Sequence, residues 1–419
     1  MIRTLCYLLA ILYCFVWLRI PDIAGVAFPV QRLVAWAGLV VILARLALKG
    51  GIPVGSTARS FLRLAALFMA FLLVNLGQKL AYGSHFHLLY FLMDFSKYAA
   101  VFTVAFLIYY GLASRLASED RLVDHILLSA TGSIVLLGIF LALYSVGFRT
   151  ENVLLAPSFG GALGVWPTGE GLPRLAGTAA EPQQLSVLLL TPLLLMLSRD
   201  KIRRYWLVAA AGLLAILLSQ SKFALISGAF ILLHLFLVYP AKRKLLLAGL
   251  LPLAPLLVIS LRKLPTFAAT LSEGLGATAF VERVENLLLL LQVIQQYAFF
   301  GIGPGQYGIF RGITLHGNAL YAPTYYPNMD FLKVFAETGL AGFLLMLLLL
   351  GSLAWLFLRT YRLIPPVKRD RYLAVLLGAM AILLNMAIGY ELLHVFFWIN
   401  VGVLIYFTDS VQARRQIAV

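Results

Sequence analysis

The chain has 419 residues, 62% of them hydrophobic and 12% charged, with a formal net charge of +16 and a mean hydropathy of +0.94. Water-soluble domains carry roughly 45–50% apolar and about 25% charged residues, so this composition excludes a soluble fold and demands a membrane. So basic a balance would suggest nucleic acid in a soluble protein, but here the basic residues sit in short loops beside apolar runs. Nucleic acid is therefore not an expected partner, whereas membrane lipids with anionic headgroups and a phosphate-bearing lipid are.

A membrane-spanning helix needs about 20 mostly apolar residues. About twelve segments qualify in chain order: 4–20, 24–48, 61–81, 88–110, 123–147, 183–198, 204–219, 223–240, 244–261, 331–358, 372–390 and 392–409. The prediction is an all-α polytopic membrane protein with about 12 transmembrane helices, organised as a single domain over 1–419, without internal repeats. Cys6 and Cys14 fall in the first segment with neither metal-ligand spacing nor a disulfide framework. No small-x-small cleavage site follows that segment, so it reads as an uncleaved span. The basic stretches 49–63, 115–121, 199–204, 242–244 and 359–371, with Arg414 and Arg415, fit one alternation that puts all of them and both termini in the cytoplasm.

Two longer stretches then lie outside, 148–182 and 262–330. The first ends in LPRLAGTAAEPQQLS. Arg174 there suits planar contacts to phosphate, and Glu181 suits proton acceptance from a hydroxyl. The same letters also read as a helix start, with Thr178 and Glu181 as a capping box and Pro182 in the first turn. LLSQSKFALISG forms the turn between the seventh and eighth spans. Its Lys222 is either a site cation at membrane depth or a snorkelling lysine.

In the second stretch, VERVENLLLLLQVIQQYAFF carries Glu282, Glu285, Asn286, Gln292 and Gln296 on one helical stripe, with Arg283 at its edge. This amphipathic helix is expected to lie on the membrane surface or to cap a cavity. FFGIGPGQYGIF follows, a glycine cluster without the strand or spacing of a dinucleotide fingerprint; a tight turn is expected, with a phosphate cradle as the alternative. Finally, YYPNMDFLKVFAETGLAGFLL opens the tenth span with Asn328, Asp330, Lys333 and Glu337 on one face. A polar stripe entering the bilayer must face protein or a wet cavity. His316 lies in the large loop as a possible acid or base, although a solvated loop histidine is the commoner case. His234 and His394 fall in apolar runs and suit one interhelical hydrogen bond each.

Taken in order, RLAGTAAEP, SQSK, VERVEN with GIGPGQYG, and PNMDFLKVFAETGLAG resemble the O-antigen polymerase and ligase family over residues 170–345. The resemblance implies a bacterial inner-membrane glycosyltransferase similar in fold to GT-C-type enzymes. Its loops at 148–182 and 262–330 would be periplasmic. Its donor would be a glycan on undecaprenyl pyrophosphate, with a chain-length regulator protein as a possible partner. Arg174 and Arg283 match the family's external arginines and would hold the pyrophosphate, with Lys222 assisting; Lys222 stands where the family often has Arg, which keeps the charge but loses the bidentate fork. Pro327 precedes Asn328 where ligases usually have His, which favours a polymerase.

The expected reaction is transfer of a growing glycan to a hydroxyl of a lipid-linked repeat unit, inverting and metal-independent, with no cofactor. Glu181 is the first choice as base, with Glu337 or His316 as substitutes, and Asn328, Tyr326 and Asp330 are placed against the rest of the substrate. The product would be O-antigen of lipopolysaccharide or an exopolysaccharide. A ligase moving glycan to lipid A core or to protein, a transporter or flippase, and a scaffold stand as alternatives.

Overall fold

The structure is a computed structural model describing all residues except 17, 24–25, 50–53, 83–85, 148–163, 167–173, 180, 243–277, 324, 328, 388, 391 and 419. For some positions inside elements, Lys222 and residues 278–283 among them, only the backbone is described. The helices are α1 (Ile2–Ile11), α2 (Val30–Lys49), α3 (Ser56–Tyr82), α4 (Leu88–Ala113), α5 (Glu119–Ser145), α6 (Pro182–Met196), α7 (Ile202–Leu218), α8 (Lys222–Val238), α9 (Thr278–Gln296), α10 (Tyr307–His316), α11 (Asp330–Tyr361), α12 (Pro366–Asn385) and α13 (Val395–Ala418). Two small antiparallel hairpins interrupt them, β1 (Arg19–Ile23) with β2 (Val26–Pro29) and β3 (Gly164–Trp166) with β4 (Arg174–Gly177).

This is an all-α polytopic membrane protein, and six described helices, α2 to α5, α11 and α13, are long and apolar enough to cross a bilayer. The expected spans at 183–198, 204–219 and 223–240 are shorter helices of 15, 17 and 17 residues. The segment 244–261 lies outside the described residues. The first expected span, 4–20, is corrected: helix ends at Ile11, and the chain turns into a hairpin that returns directly to Val30. Pro21 and Pro29, which cannot sit in a helix interior, mark that break in the sequence. Near Tyr390 the chain forms two helices, ending at Asn385 and restarting at Val395.

The core forms where α4 packs on α13 and α6 packs on α7, α8 and α12. Every residue of α6 from Gln184 to Met196 is buried, which suits a helix surrounded by other helices rather than by lipid. Trp398 of α13 sits fully buried against Phe61 and Phe102, its indole N–H donating to the Leu392 carbonyl at 2.6 Å. At Gly402 a side chain would collide with the Ala105 carbonyl, so the two central helices touch backbone to backbone.

One end of the bundle gathers the basic segments. Arg371 donates to Asp200 at 2.7 Å and pairs with Asp120 and Glu119; Lys201 holds Asp124 at 2.6 Å, Lys368 holds Glu119, and Arg199 reaches Asp370 at 3.4 Å. Thr57 N–H donates to Asp409 at 2.8 Å, which brings the start of α3 and the end of α13 to the same end. These short loops thus share one side of the bundle, as alternating spans require.

Replacing Arg371 by Gln removes the common partner of three carboxylates on two other segments. A loss of roughly 1–2 kcal/mol is expected, discounted because Asp120 and Asp200 are solvent-exposed. Thermal unfolding of purified R371Q should show a lower midpoint than R362Q, which alters an exposed arginine of the same end; equal midpoints would remove Arg371 from this role.

Candidate functional site

The opposite end holds the segments singled out in the sequence. The β4 strand ends at Gly177, whose φ of +59° turns the chain toward α6. Thr178 is not the helix cap expected of it. Its hydroxyl is fully buried, bonded to the Cys14 carbonyl and Ser133 at 2.5 Å each, and Glu181 occupies the N-cap position before Pro182. Arg174 reaches the SQSK turn: its Nε donates to the Ser219 carbonyl at 3.3 Å. Burial pushes the Arg174 guanidinium below its ordinary pKa, while the nearby Glu181 carboxylate pushes it the other way. Gln183 donates to Glu181, and Gln184 contacts His394 at 2.8 Å. The turn itself is fastened by Ser186 to Ser219 at 2.9 Å and by Ser221, which accepts the Phe223 N–H at 3.2 Å as the cap of α8. RLAGTAAEP and SQSK, 45 residues apart at their contacting atoms, therefore form one structure.

A second cluster is built from α4, α11 and the glycine-rich turn. Lys333 donates to Glu337 at 2.5 Å and to Asp94 at 2.9 Å, and Asp94 also receives Lys97 at 2.5 Å. Lys333, Asp94 and Glu337 are each at most 5% exposed. The other Glu337 oxygen accepts the Tyr307 N–H at 3.2 Å, joining the ion cluster to the start of α10. Tyr326 donates to Asp330, whose second oxygen accepts the Leu392 N–H at 2.8 Å. Burial and the Asp330 carboxylate push the Tyr326 phenol well above its ordinary pKa, and burial pushes up Tyr307 as well. A cavity of about 30 Å³, lined by Tyr90, Asp94, Lys97, Tyr326, Lys333 and Glu337, holds roughly one or two waters. It is too small for a sugar.

The glycine cluster GIGPGQYG is a tight backbone turn that packs on ETGLAG. Ile302 N–H donates to the Ala336 carbonyl at 3.0 Å and Gly303 N–H to the Glu337 carbonyl at 2.8 Å. α11 is kinked at Gly339, with φ +67°, and a Cβ there would meet the Phe299 carbonyl at 2.1 Å. α9 closes over this turn. Its Leu289, Leu290 and Val293 join Ile302, Tyr307 and Ala336 in a small separate core. Asn286 is buried between Tyr325 at 2.6 Å and Tyr307 at 3.1 Å, while Val284, Leu288 and Leu291 face outward. The helix is therefore a cap whose buried Asn286 anchors it, and its outer face mixes exposed Glu285, Gln292 and Gln296 with Val284, Leu288 and Leu291.

Tyr326 links the two clusters through Tyr390, at 6.0 Å between rings, and Tyr390 links to His394, at 5.6 Å, which meets Gln184. Of the predicted residues, the structure brings Arg174 and Glu181 together in the first cluster, and Tyr326, Asp330 and Glu337 together in the second. His316 stands apart, exposed and tilted against the Tyr321 ring at the far end of α10, roughly 14 Å along the helix from Tyr307. The side chains of Arg283 and Lys222, and Asn328 as a whole, lie outside the described residues; the α9 backbone places Arg283 nearly one turn before Asn286.

Sequence reasoning passed over Asp94 and Lys97, because the first five spans offered no motif. The available signal was an Asp and a Lys three residues apart inside the apolar run Leu88–Ala113, where an ionisable pair marks an interior or a site. Lys333→Met should cost about 3–5 kcal/mol, since it leaves the buried Glu337 carboxylate without a cation and Asp94 with Lys97 alone. The triple change D94N/K333M/E337Q should recover most of that loss in thermal unfolding. Equal destabilisation by both would mean that the three groups are not coupled.

Residues 206–347, about a third of the chain, match the family described as O-antigen ligase. The match spans the SQSK turn, α8, α9, the glycine turn and the kinked half of α11, and it supports the O-antigen polymerase and ligase family without separating the two activities. No curated protein matches the chain.

Proposed function

We propose that this membrane protein, with its O-antigen ligase family segment at 206–347, polymerises lipid-linked glycan repeat units in the bacterial inner membrane. The observation that carries this reading is the joining of Arg174 to the SQSK turn beside Glu181, at the end of the bundle opposite the basic loops. Basic loops on the cytoplasmic side put that end in the periplasm. A half-buried guanidinium there suits the pyrophosphate of a lipid carrier whose chain lies in the outer leaflet.

In the proposed reaction an acceptor hydroxyl attacks the anomeric carbon, forming the new C–O bond with inversion. The bond from that carbon to the pyrophosphate oxygen breaks, and undecaprenyl pyrophosphate departs with the electron pair. Negative charge grows on the departing oxygen, so a cation fixed beside it stabilises the transition state more than the ground state. Arg174 and Arg283 take that role, assisted by Lys222. Glu181 takes the hydroxyl proton. Glu337 is committed to Lys333 and to the Tyr307 N–H, which makes it a positioning group, and His316 lies away from both clusters. The buried knot around Lys333 holds the glycine turn, and with it α9 and Arg283, at the mouth of the site.

The second reading is a ligase that moves the finished glycan to lipid A core or protein; the matched family's own description favours it. Pro327 before Asn328, where ligases usually carry His, favours the polymerase. A transporter would want its ionisable groups at mid-membrane. Asp94 lies six residues into the 26-residue α4, roughly 9 Å from its start and well short of the midpoint.

The test uses purified protein and a defined lipid-pyrophosphate oligosaccharide, reading product length and acceptor. Long-chain product on the lipid carrier supports the polymerase; transfer only to lipid A core supports the ligase. R174A and R283A should each lower the rate by about 100-fold or more, as removal of an oxyanion-stabilising donor does. R174K should restore part of it. Wild-type chain lengths from correctly inserted R174A would end the phosphate-binding role.

A further inference from the structure

Among the described residues, Arg3, Arg115 and Arg121 converge at the basic end of the bundle, and none of the three guanidiniums has an acidic partner. Two adjoining cavities, about 380 and 410 Å³, share Arg3, Tyr7 and Arg121 in their walls. Volumes of this size are typical of small-molecule sites. Glu119 and Asp120 also line the larger one, but both are engaged by Arg371, and Glu119 by Lys368 as well. The floor is rigid: Tyr7 stacks on His125 with ring centroids 4.8 Å apart, accepts the Ser118 N–H at 2.9 Å, and His125 Nδ1 donates to the Arg121 carbonyl at 2.5 Å.

The groove between α1 and α5 then changes character along its length. On α5, Arg121, His125, Leu128, Gly132 and Val135 recur at four- and three-residue intervals, which places them on one helix face. The charged end of that face passes into Leu128 and Val135, 60% and 56% exposed, with Leu8 and Ile11 of α1 beside it. A cationic mouth continuous with an exposed apolar stripe complements a molecule with an anionic head and a hydrocarbon tail. From this geometry we propose that the α1–α5 groove is a binding site for an anionic phospholipid, its phosphodiester on Arg3, Arg115 and Arg121 and an acyl chain along Leu8, Ile11, Leu128 and Val135. The cationic mouth lies at the basic end of the bundle, opposite Arg174, so the proposal stands or falls independently of the glycosyltransferase reading.

The experiment is native mass spectrometry of the full chain in detergent, titrated with phosphatidylglycerol, with phosphatidylcholine, and with inorganic phosphate. Phosphatidylglycerol should bind at least about tenfold more tightly than phosphatidylcholine, because basic residues near a lipid surface favour an anionic headgroup over a zwitterionic one. R3Q/R115Q/R121Q should lose that preference, whereas R359Q/R362Q, which alters two exposed arginines of the same end, should keep it. L8W, which fills the apolar stripe, should weaken phosphatidylglycerol binding, and inorganic phosphate should not compete. If the triple variant does not fold, the three single variants serve, each expected to weaken binding severalfold. Equal binding of the two lipids by the wild type, full binding by the arginine variants or by L8W, or displacement of the lipid by inorganic phosphate would overturn the proposal.

Discussion

One ammonium group organises the end of this protein where the sequence motifs meet. Lys333 is shared by Asp94 of α4 and Glu337 of α11, with all three side chains almost wholly withdrawn from solvent. In a low-dielectric interior Glu337 has, among the described residues, no other cation to keep it ionised, Asp94 would be left with Lys97 alone, and the Lys333 ammonium would be costly without them. The cluster therefore fixes the azimuth of α11 against α4. Because Glu337 also takes the Tyr307 N–H, and its backbone carbonyl takes Gly303, the same residue fixes the glycine turn. α10 begins from that turn, and α9 packs over it.

The kink at Gly339 follows from the same arrangement. The turn at 299–303 lies against the backbone of residues 336–340, closer than any Cβ would allow at Gly301 or Gly339. Two glycines facing each other across a chain contact explain why GIGPGQYG and ETGLAG occur together. Neither motif needs a bound phosphate to account for its glycines. Their work is to let a loop lie on a helix, so that α10, which starts from the loop, and α9, which packs over it, are fixed against α11.

Architecture was legible in the sequence because hydropathy and loop charge are summed over many residues. The long spans, the buried polar face of Asp330, Lys333 and Glu337, and the convergence of basic loops all follow from such sums. Single-residue roles were less legible. Thr178 carried the letters of a capping box, yet tertiary packing took its hydroxyl for Cys14 and Ser133. Asp94 has a local partner in Lys97, but its link to Lys333, 239 residues away, is a separation no local pattern reports. The hairpin at 19–29 was hidden by apolar side chains whose alternation is too short to distinguish a strand from a helix end. Asn286 showed the right spacing, but only the packing of Tyr307 and Tyr325 reveals that it points inward.

The two clusters divide the physical tasks that the proposed lipid-linked glycan transfer would impose. A buried, mutually neutralised set of charges is poorly suited to greeting a diphosphate, since every cation in it already has a partner. A half-buried arginine on a short strand, whose hydrogen bond among the described residues is a 3.3 Å contact to a backbone carbonyl, can exchange that carbonyl for a phosphate oxygen at small cost. Rigidity is thus concentrated around Lys333 and available charge around Arg174, with Tyr326, Tyr390 and His394 packed in series between them. Under the proposed reaction, a loosened Lys333 cluster would misplace the cations assigned to the diphosphate rather than remove them. Its effect would be felt in the geometry of the transition state, where an error of 1 Å is already expensive.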